Sequence, residues 1–491
     1  MLAVPVLLLC ACSSNEAWEE QPTPGDPDAP QYINLTISVS NGSQQTSTRA
    51  PLGGEDGDGR EQAFERENAI KNITFILADG SLNSNTAKIA FIKHYPVSEI
   101  TANYPEDSHG HTYYDTAEKK YTTGYQLVDR AELDMTEDKT YYVYVVANRW
   151  INANKGDNLT TIKDKTLGAY ELFSGDGYNP DGCFNYIMAS EQDFTVNFAN
   201  ASDIDKIKIT NSDFCYQLKR PIIIERHAAR IDFCTAYSSN TKNAAYGTYN
   251  VNVGGTATTK SGFKYETVPV ASGGYFILES ITPFNIYNEQ QYLFERVTDG
   301  WTGTPTTTYL GRETTTNYIV DPRTADKVST SLNYESPLSA TMATTWQRTA
   351  ASLNSQTSKT KVVSSTTDDN FVVAYCMENP LLPTSPLKNY ATGLVITGSF
   401  YDKNNNFVSQ RTFYEYLRHQ DSGITYTTTE LTADNLSADT RTSGTTTAMR
   451  FSIVRNNIYR VSIENIDSKG RIKLKLAVHD WREVTHPDVY I

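Results

Sequence analysis

Tyr32-Ile33-Asn34-Leu35-Thr36-Ile37-Ser38-Val39-Ser40 alternates apolar and polar residues without a break. Ile33, Leu35, Ile37 and Val39 fall on one face, and Asn34, Thr36, Ser38 and Ser40 on the other. That period of two predicts a strand buried on one side. The adjoining stretch is unlike it. Residues 41–59 pass through Arg49-Ala50-Pro51 to Gly53-Gly54-Glu55-Asp56-Gly57-Asp58-Gly59 with no apolar period, which predicts an exposed linker. A well-made strand is thus tied to the rest of its domain through a long, protease-accessible connection. Arg49 is the only basic residue between Cys12 and Gly59.

Downstream of the linker the pattern predicts a short helix over 61–68, then strands at 70–77, 89–95, 127–133, 141–147, 194–198 and 207–209. Helices do not alternate with these strands, so an antiparallel sandwich is expected and a doubly wound parallel sheet is not. Pro221 opens the stretch 222–233, taken as the first strand of a second domain. Further strands are expected at 275–278, 371–376, 451–454, 459–463 and 472–478, with a hairpin over 394–413 turning at Asp402-Lys403-Asn404-Asn405-Asn406. The Thr-rich stretches 302–316, 329–367 and 425–447 lack periodicity and are expected to be loops.

Upstream, residues 2–9 are apolar and run into Leu9-Cys10-Ala11-Cys12, the apolar, small, Cys order of a bacterial lipoprotein signal. Cys12 is the expected acylated residue, because Leu9 is a poor neighbour for Cys10. No Lys or Arg precedes Cys12, so the true start is expected to lie further upstream. Residues 13–30 carry Glu16, Glu19, Glu20, Asp26 and Asp28 among four prolines, an acidic tether that cannot bury a core. Two acyl chains suffice for stable anchoring of a protein that otherwise stays in water.

The chain is 491 residues long, enough for about three average domains or two large sandwiches. Lys and Arg total 43 against 57 Asp and Glu, a net charge of −14, so nucleic acid is not an expected partner. No nucleophile elbow, phosphate loop, dinucleotide fingerprint or zinc-protease motif occurs. Asp107-Ser108-His109-Gly110-His111 is the best metal constellation, and a solvated loop suits it better. The acidic stretch at 55–59 lacks the downstream ligand of a calcium loop. No pair among the acids is singled out as a glycosidase couple. Neither an enzyme activity, a cofactor nor a metal is therefore expected. Cys183, Cys215, Cys234 and Cys376 permit three pairings; the last three lie in apolar strand patterns and are expected as buried thiols.

Five segments combine into a larger pattern: Glu67-Asn68-Ala69-Ile70-Lys71-Asn72-Ile73-Thr74-Phe75-Ile76-Leu77, Tyr141-Tyr142-Val143-Tyr144-Val145-Val146-Ala147-Asn148, Glu225-Arg226-His227-Ala228-Ala229-Arg230-Ile231, Tyr375-Cys376-Met377-Glu378-Asn379 and Val454-Arg455-Asn456-Asn457-Ile458-Tyr459-Arg460-Val461. In this order, behind a lipoprotein signal and ahead of Val478-His479-Asp480-Trp481, they resemble the major fimbrial subunits (fimbrillins) of Bacteroidales type V pili over nearly the whole chain.

The resemblance implies an all-β chain of two tandem transthyretin-like antiparallel β-sandwich domains with few short helices, and no enzyme activity. It implies a precursor lipidated at Cys12 on the cell outer membrane, cut between Arg49 and Ala50 by a trypsin-like protease, and then an extracellular fimbrium. On this reading residues 1–11 are the signal peptide and 12–49 the propeptide, whose strand bears Ile33, Leu35, Ile37 and Val39. The sandwiches span 50–220 and 221–470, and 471–491 is the donor tail. The implied partners are identical or related subunits, anchor and tip fimbrial proteins and the maturation protease. For the donor, Ile472, Leu474, Leu476 and Val478 repeat the spacing of the departing strand, and a second cluster includes Val489 and Ile491 beyond Pro487. The same alternation at 472–478 also suits the last strand of the domain's own sandwich. A fimbrial tip adhesin and a surface glycan-binding lipoprotein are the alternative classes; the former would lack a donor tail and the latter would need an aromatic platform.

Overall fold

The computed structural model of the chain describes residues 31–482 apart from 35, 40–59, 63–64, 97–99, 104–112, 116–119, 123, 128–130, 134–137, 169–170, 175–179, 209–213, 221, 236–243, 270–272, 288–289, 299–306, 311–317, 323–345, 358, 362–368, 382–384, 420–423, 433–434, 436–437 and 443–448. The fold is all-β, with sheets packed as sandwiches and helices of four or five residues such as Glu65–Asn68 and Ala350–Asn354.

The first sandwich is centred on Thr140–Ala147, whose aromatic and β-branched residues suit a strand covered on both faces. It pairs antiparallel with Asn72–Ala78, Met188–Ser190 and Phe194–Asn197, in a nine-stranded sheet that continues through Ile222–Arg226, Thr36–Val39, Gly124–Leu127 and Ile100–Asn103. A four-stranded sheet runs Ala131–Leu133, Gln31–Asn34, Phe214–Leu218, Ile204–Lys208. Ile204, Tyr216 and Leu218 of the smaller sheet share one core with Phe75, Val143, Val196, Ile222 and Ile224 of the larger.

The second sandwich packs two seven-stranded sheets. One runs Lys359–Lys361, Asp369–Cys376, Ala229–Cys234, Asn457–Ile466, Ile472–Arg482, Arg60–Gln62, with Ile424–Thr427 also paired to Ile472–Arg482; the other runs Ala245–Val253, Thr256–Glu266, Tyr275–Phe284, Gly393–Tyr401, Phe407–Tyr416, Thr429–Glu430, with Arg348–Thr349 also paired to Tyr275–Phe284. Ile231, Phe233, Val461 and Ile463 meet Phe276, Leu278, Ile396 and Phe400 in its core. The hairpin expected over 394–413 is present as Gly393–Tyr401 and Phe407–Tyr416. Asp402 Oδ1 accepts from the Asn404 and Asn406 N–H groups, and Asn405 adopts φ 65° in the turn.

Several sequence expectations are corrected. The run 222–233 is two strands in different sheets, Ile222–Arg226 and Ala229–Cys234, so the chain changes sandwich at His227-Ala228 and not at Pro221. The helix expected over 61–68 is Glu65–Asn68 alone, because Arg60–Gln62 is drawn into pairing with Asp480, Trp481 and Arg482. The stretch 127–133 splits into Gly124–Leu127 and Ala131–Leu133, one in each sheet of the first sandwich. Residues 451–454 form no strand, only an isolated bridge from Ile453 to Asn379. Ordered pieces also occur within the Thr-rich stretches, including Thr307–Tyr309, Ala350–Asn354 and Ile424–Thr427. Tertiary pairing supplies the order that periodicity lacks there.

Candidate functional site

Gln31–Asn34 and Thr36–Val39 fill a slot with hydrogen-bonding neighbours on both sides. Gln31–Asn34 pairs antiparallel with Ala131–Leu133 and parallel with Phe214–Leu218, placing Ile33 opposite Ala131 and Tyr216. Thr36–Val39 pairs antiparallel with Gly124–Leu127 and parallel with Ile222–Arg226, placing Ile37 opposite Tyr125 and Ile222, and Val39 opposite Ile224. The single strand expected from the sequence is therefore two short ones in two sheets, divided at Leu35, which lies outside the described residues. The parallel neighbour changes sheet with it. Partners differ by 183 positions before the switch (Gln31 with Phe214) and by 185 after it (Ile37 with Ile222), so the neighbour uses two more residues to turn the corner.

Emptying this slot would leave Ala131–Leu133 without any described strand partner and would open one edge each of Phe214–Leu218, Ile222–Arg226 and Gly124–Leu127. Open edges of that kind are templates for strand capture. The Phe214–Leu218 strand was missed in the sequence apart from the apolar pattern noted around Cys215, although Tyr216 and Leu218 are both buried.

At the Arg226 end of the slot-lining strand Ile222–Arg226, four of the five segments that carry the resemblance converge on one buried polar network. Arg226, at the end of a slot-lining strand, donates from Nε to the Glu67 carbonyl at 3.0 Å and from Nη1 to Asn456 Oδ1 at 3.1 Å. The Glu67 carboxylate accepts from Arg230 Nη1 at 3.0 Å and from the Tyr375 hydroxyl. Arg230 forks onto Asp232, with Nε and Nη2 each 2.9 Å from a carboxylate oxygen, and Asn370 donates to the same carboxylate at 2.6 Å. Arg455 Nε donates to Glu378 Oε2 at 2.7 Å, and its Nη2 reaches the Tyr292 carbonyl at 2.8 Å.

The electrostatics follow from burial and pairing. Desolvation opposes the charge on Arg230, but Asp232 and Glu67 outweigh it and hold the pKa above its ordinary value. Arg455 is held up in the same way, chiefly by Glu378. Burial, and then Arg455, push His227 well below the usual imidazole value, so its ring is neutral. Its Nδ1 faces Gln291 Nε2 at 3.3 Å and Arg455 Nη1 at 3.4 Å, both donors, which makes Nδ1 the acceptor. Burial, then the Glu67 charge, raise the Tyr375 hydroxyl and keep it protonated. The network binds the Glu65–Asn68 helix, just downstream of 40–59, to strands of both sandwiches. Sequence reasoning did not find it as a network. Its signal was the unusual Glu and Arg content of otherwise apolar strand segments.

Ile472, Leu474, Leu476 and Val478 lie in Ile472–Arg482 and are buried in the second sandwich's own core. That strand pairs with Asn457–Ile466 along nearly all its length, with Ile424–Thr427 at Lys473–Leu476, and with Arg60–Gln62 at Asp480–Arg482. Cys12, Arg49, Ala50, Val489 and Ile491 lie outside the described residues, as do Asp107, His109, His111 and the acidic stretch 55–59. Among the described residues no group of three metal-ligating side chains occurs. Cys183, Cys234 and Cys376 are buried, and burial pushes the Cys376 thiol up to about 12. No described helix is long and apolar enough to cross a membrane.

No protein-family model and no curated protein matches the chain. Among solved structures, the chain is similar to a Parabacteroides distasonis ATCC 8503 protein assigned to cell adhesion, at 11% identity and a TM-score of 0.38, over 93% of this chain and 98% of that one. It is also similar to the tip fimbrial protein Mfa3 from Porphyromonas gingivalis, at 9% identity and 0.36, over 92% and 100%. A fimbrial assembly protein from Parabacteroides distasonis ATCC 8503 matches at 10% identity and 0.30, over 91% and 96%.

Proposed function

We propose that the chain is a structural subunit of a surface fimbria, exported as a precursor lipidated at Cys12, cut between Arg49 and Ala50, and polymerised when a neighbouring subunit's tail enters the slot vacated by residues 31–39. The observation that carries this reading is the slot itself: a central, two-sided position filled by a segment whose covalent link to the rest is the linker bearing Arg49. The other basic residues nearby are protected, Arg60 within a paired strand and Arg66 within a helix beside the buried network.

The donor is assigned to residues beyond Arg482. Ile472–Arg482 completes its own core, so lending it to a neighbour would empty one sandwich to fill another. Beyond it, Val484 and the cluster Val489, Tyr490 and Ile491 flank Pro487, a pair of short segments. The slot likewise takes two short strands divided at Leu35. If the four apolar residues of the sequence pattern, Ile33, Leu35, Ile37 and Val39, mark four sites, refilling them would recover on the order of 6–12 kcal/mol before ordering costs, at ~1.5–3 kcal/mol per side chain. Ladder hydrogen bonds add about 0.5–1.5 kcal/mol each. The test is the N-terminal residue of the protein sheared from cells. Ala50 is expected; acylated Cys12 on polymerised subunits would overturn the reading.

A further inference from the structure

Ala245–Val253 is the outer strand of its sheet. It joins Thr256–Glu266 through Gly254-Gly255, both at positive φ (58° and 82°), with Val253 opposite Thr256. In such a two-residue hairpin the pair flanking the turn is hydrogen-bonded, so odd-numbered residues bond inward. Tyr246, Thr248, Asn250 and Asn252 therefore aim their backbone groups outward. Asn252 bears this parity out, since its N–H donates to the Asn405 carbonyl at 2.9 Å. No described strand pairs with the outward groups of Tyr246, Thr248 and Asn250.

Natural edges are usually blunted by charge, proline or a bulge. Here nine residues, Ala-Tyr-Gly-Thr-Tyr-Asn-Val-Asn-Val, carry no charge and no proline, and their register with Thr256–Glu266 runs unbroken. The whole chain has a net charge of −14, so a neutral strand is where two copies can approach without opposing like charges. The sheet face turned away from the main core also holds a second apolar cluster, in which Tyr249 and Val251 pack with Tyr275, Ile277 and Tyr401. At the hairpin tips, Val253 is 43% exposed and Val408 59% exposed.

We infer that this edge pairs with the same edge of a second copy, antiparallel about a two-fold axis at Thr248. The three open positions are symmetric about that residue. Thr248 faces Thr248 of the partner subunit, and Tyr246 faces Asn250 of the partner subunit, each exchanging backbone hydrogen bonds. Two sheets merge into one, and their outer apolar clusters become continuous. The pairing uses none of residues 31–39 or 483–491, so it does not compete with the assembly proposed above.

Sedimentation of the full, uncleaved chain through a dilution series is expected to shift between one and two chain masses. Thr248→Lys and Asn250→Lys each add charge at an exposed edge position and are expected to keep the thermal transition while losing the dimer. Thr248→Cys brings two thiols to the axis and is expected to give a linked dimer under mild oxidation, above the level of the parent chain and of Thr258→Cys on the inner strand. A single-chain mass at every concentration, a dimer untouched by both lysines, or equal crosslinking at positions 248 and 258 would overturn the inference.

Discussion

Glu67 and Arg230 lie 163 positions apart and form an ion pair at 3.0 Å with neither side chain exposed. Few placements bind a chain more firmly to one arrangement, because a buried charge left without its partner keeps the desolvation cost and loses the attraction. Arg230 keeps Asp232 when Glu67 is removed, but one of its charged hydrogen bonds is lost and the buried Tyr375 hydroxyl loses its acceptor, so Glu67→Ala is expected to lower the unfolding free energy by about 1–3 kcal/mol. Chemical denaturation of purified protein checks this; a loss below about 1 kcal/mol would show that the pair contributes little beyond a surface bridge.

Acid should weaken the fold through His227. The folded protein keeps this imidazole neutral, while the unfolded chain binds a proton near the ordinary value of 6.5. The unfolded state thus carries more protons as pH falls, so the contribution is complete above about 6.5 and declines below it. Urea midpoints measured across that range should fall toward acid in the parent chain. In His227→Gln the slope should flatten; an unchanged slope would move the effect to other groups.

Proteolysis should discriminate among three arginines. Brief trypsin treatment of the precursor is expected to cut at Arg49 before Arg60 or Arg66, since the latter two lie in a paired strand and a helix. In cells, Arg49→Ala should accumulate lipidated, unpolymerised precursor, and Cys12→Ala should lose the lipid. Fimbriae of normal length from the Arg49 variant would refute the processing scheme.

Two truncations should separate folding from assembly. Ending the chain after Arg482 is expected to leave the thermal transition intact and abolish polymerisation. Ending it after Gly470 removes Ile472, Leu474, Leu476 and Val478 from the second core and should prevent that sandwich from folding. Polymers from the chain ending at Arg482 would return the donor role to Ile472–Arg482.

The strands were legible because a period of two survives where one face is buried, as at Phe194–Asn197, and because a run of aromatic and β-branched residues marks a strand covered on both faces, as at Thr140–Ala147. The passage from one sandwich to the other was not. His227-Ala228 sits in a stretch with no Gly, Pro or Asn to signal a break, and only the partners on either side reveal that Ile224 and Ile231 belong to different cores. The double use of 31–39 was hidden for the same reason: alternation continues through Leu35 while the sheets change. Nor does local sequence pair Tyr375 with Glu67, 308 positions away, although both residues lay in segments marked by their composition. Sequence records which residues want burial; long-range register decides with whom.

The parallel run of Ala229–Cys234 beside Asn457–Ile466 has a mechanical consequence. If a neighbour pulls on the tail beyond Arg482, tension enters Ile472–Arg482 along its axis and is shared at once by the rungs linking it to Asn457–Ile466, from Asp480 to Ile472. It passes sideways into Ala229–Cys234, across the two residues that separate this strand from Arg226, and on to the strand flanking the slot. Where tension runs along the strand axes, the paired junctions on that path are loaded in shear, so that many hydrogen bonds must fail together, and the Glu67 cluster braces the covalent passage at His227-Ala228. A filament of such subunits would resist stretching far better than the modest strength of any single rung suggests.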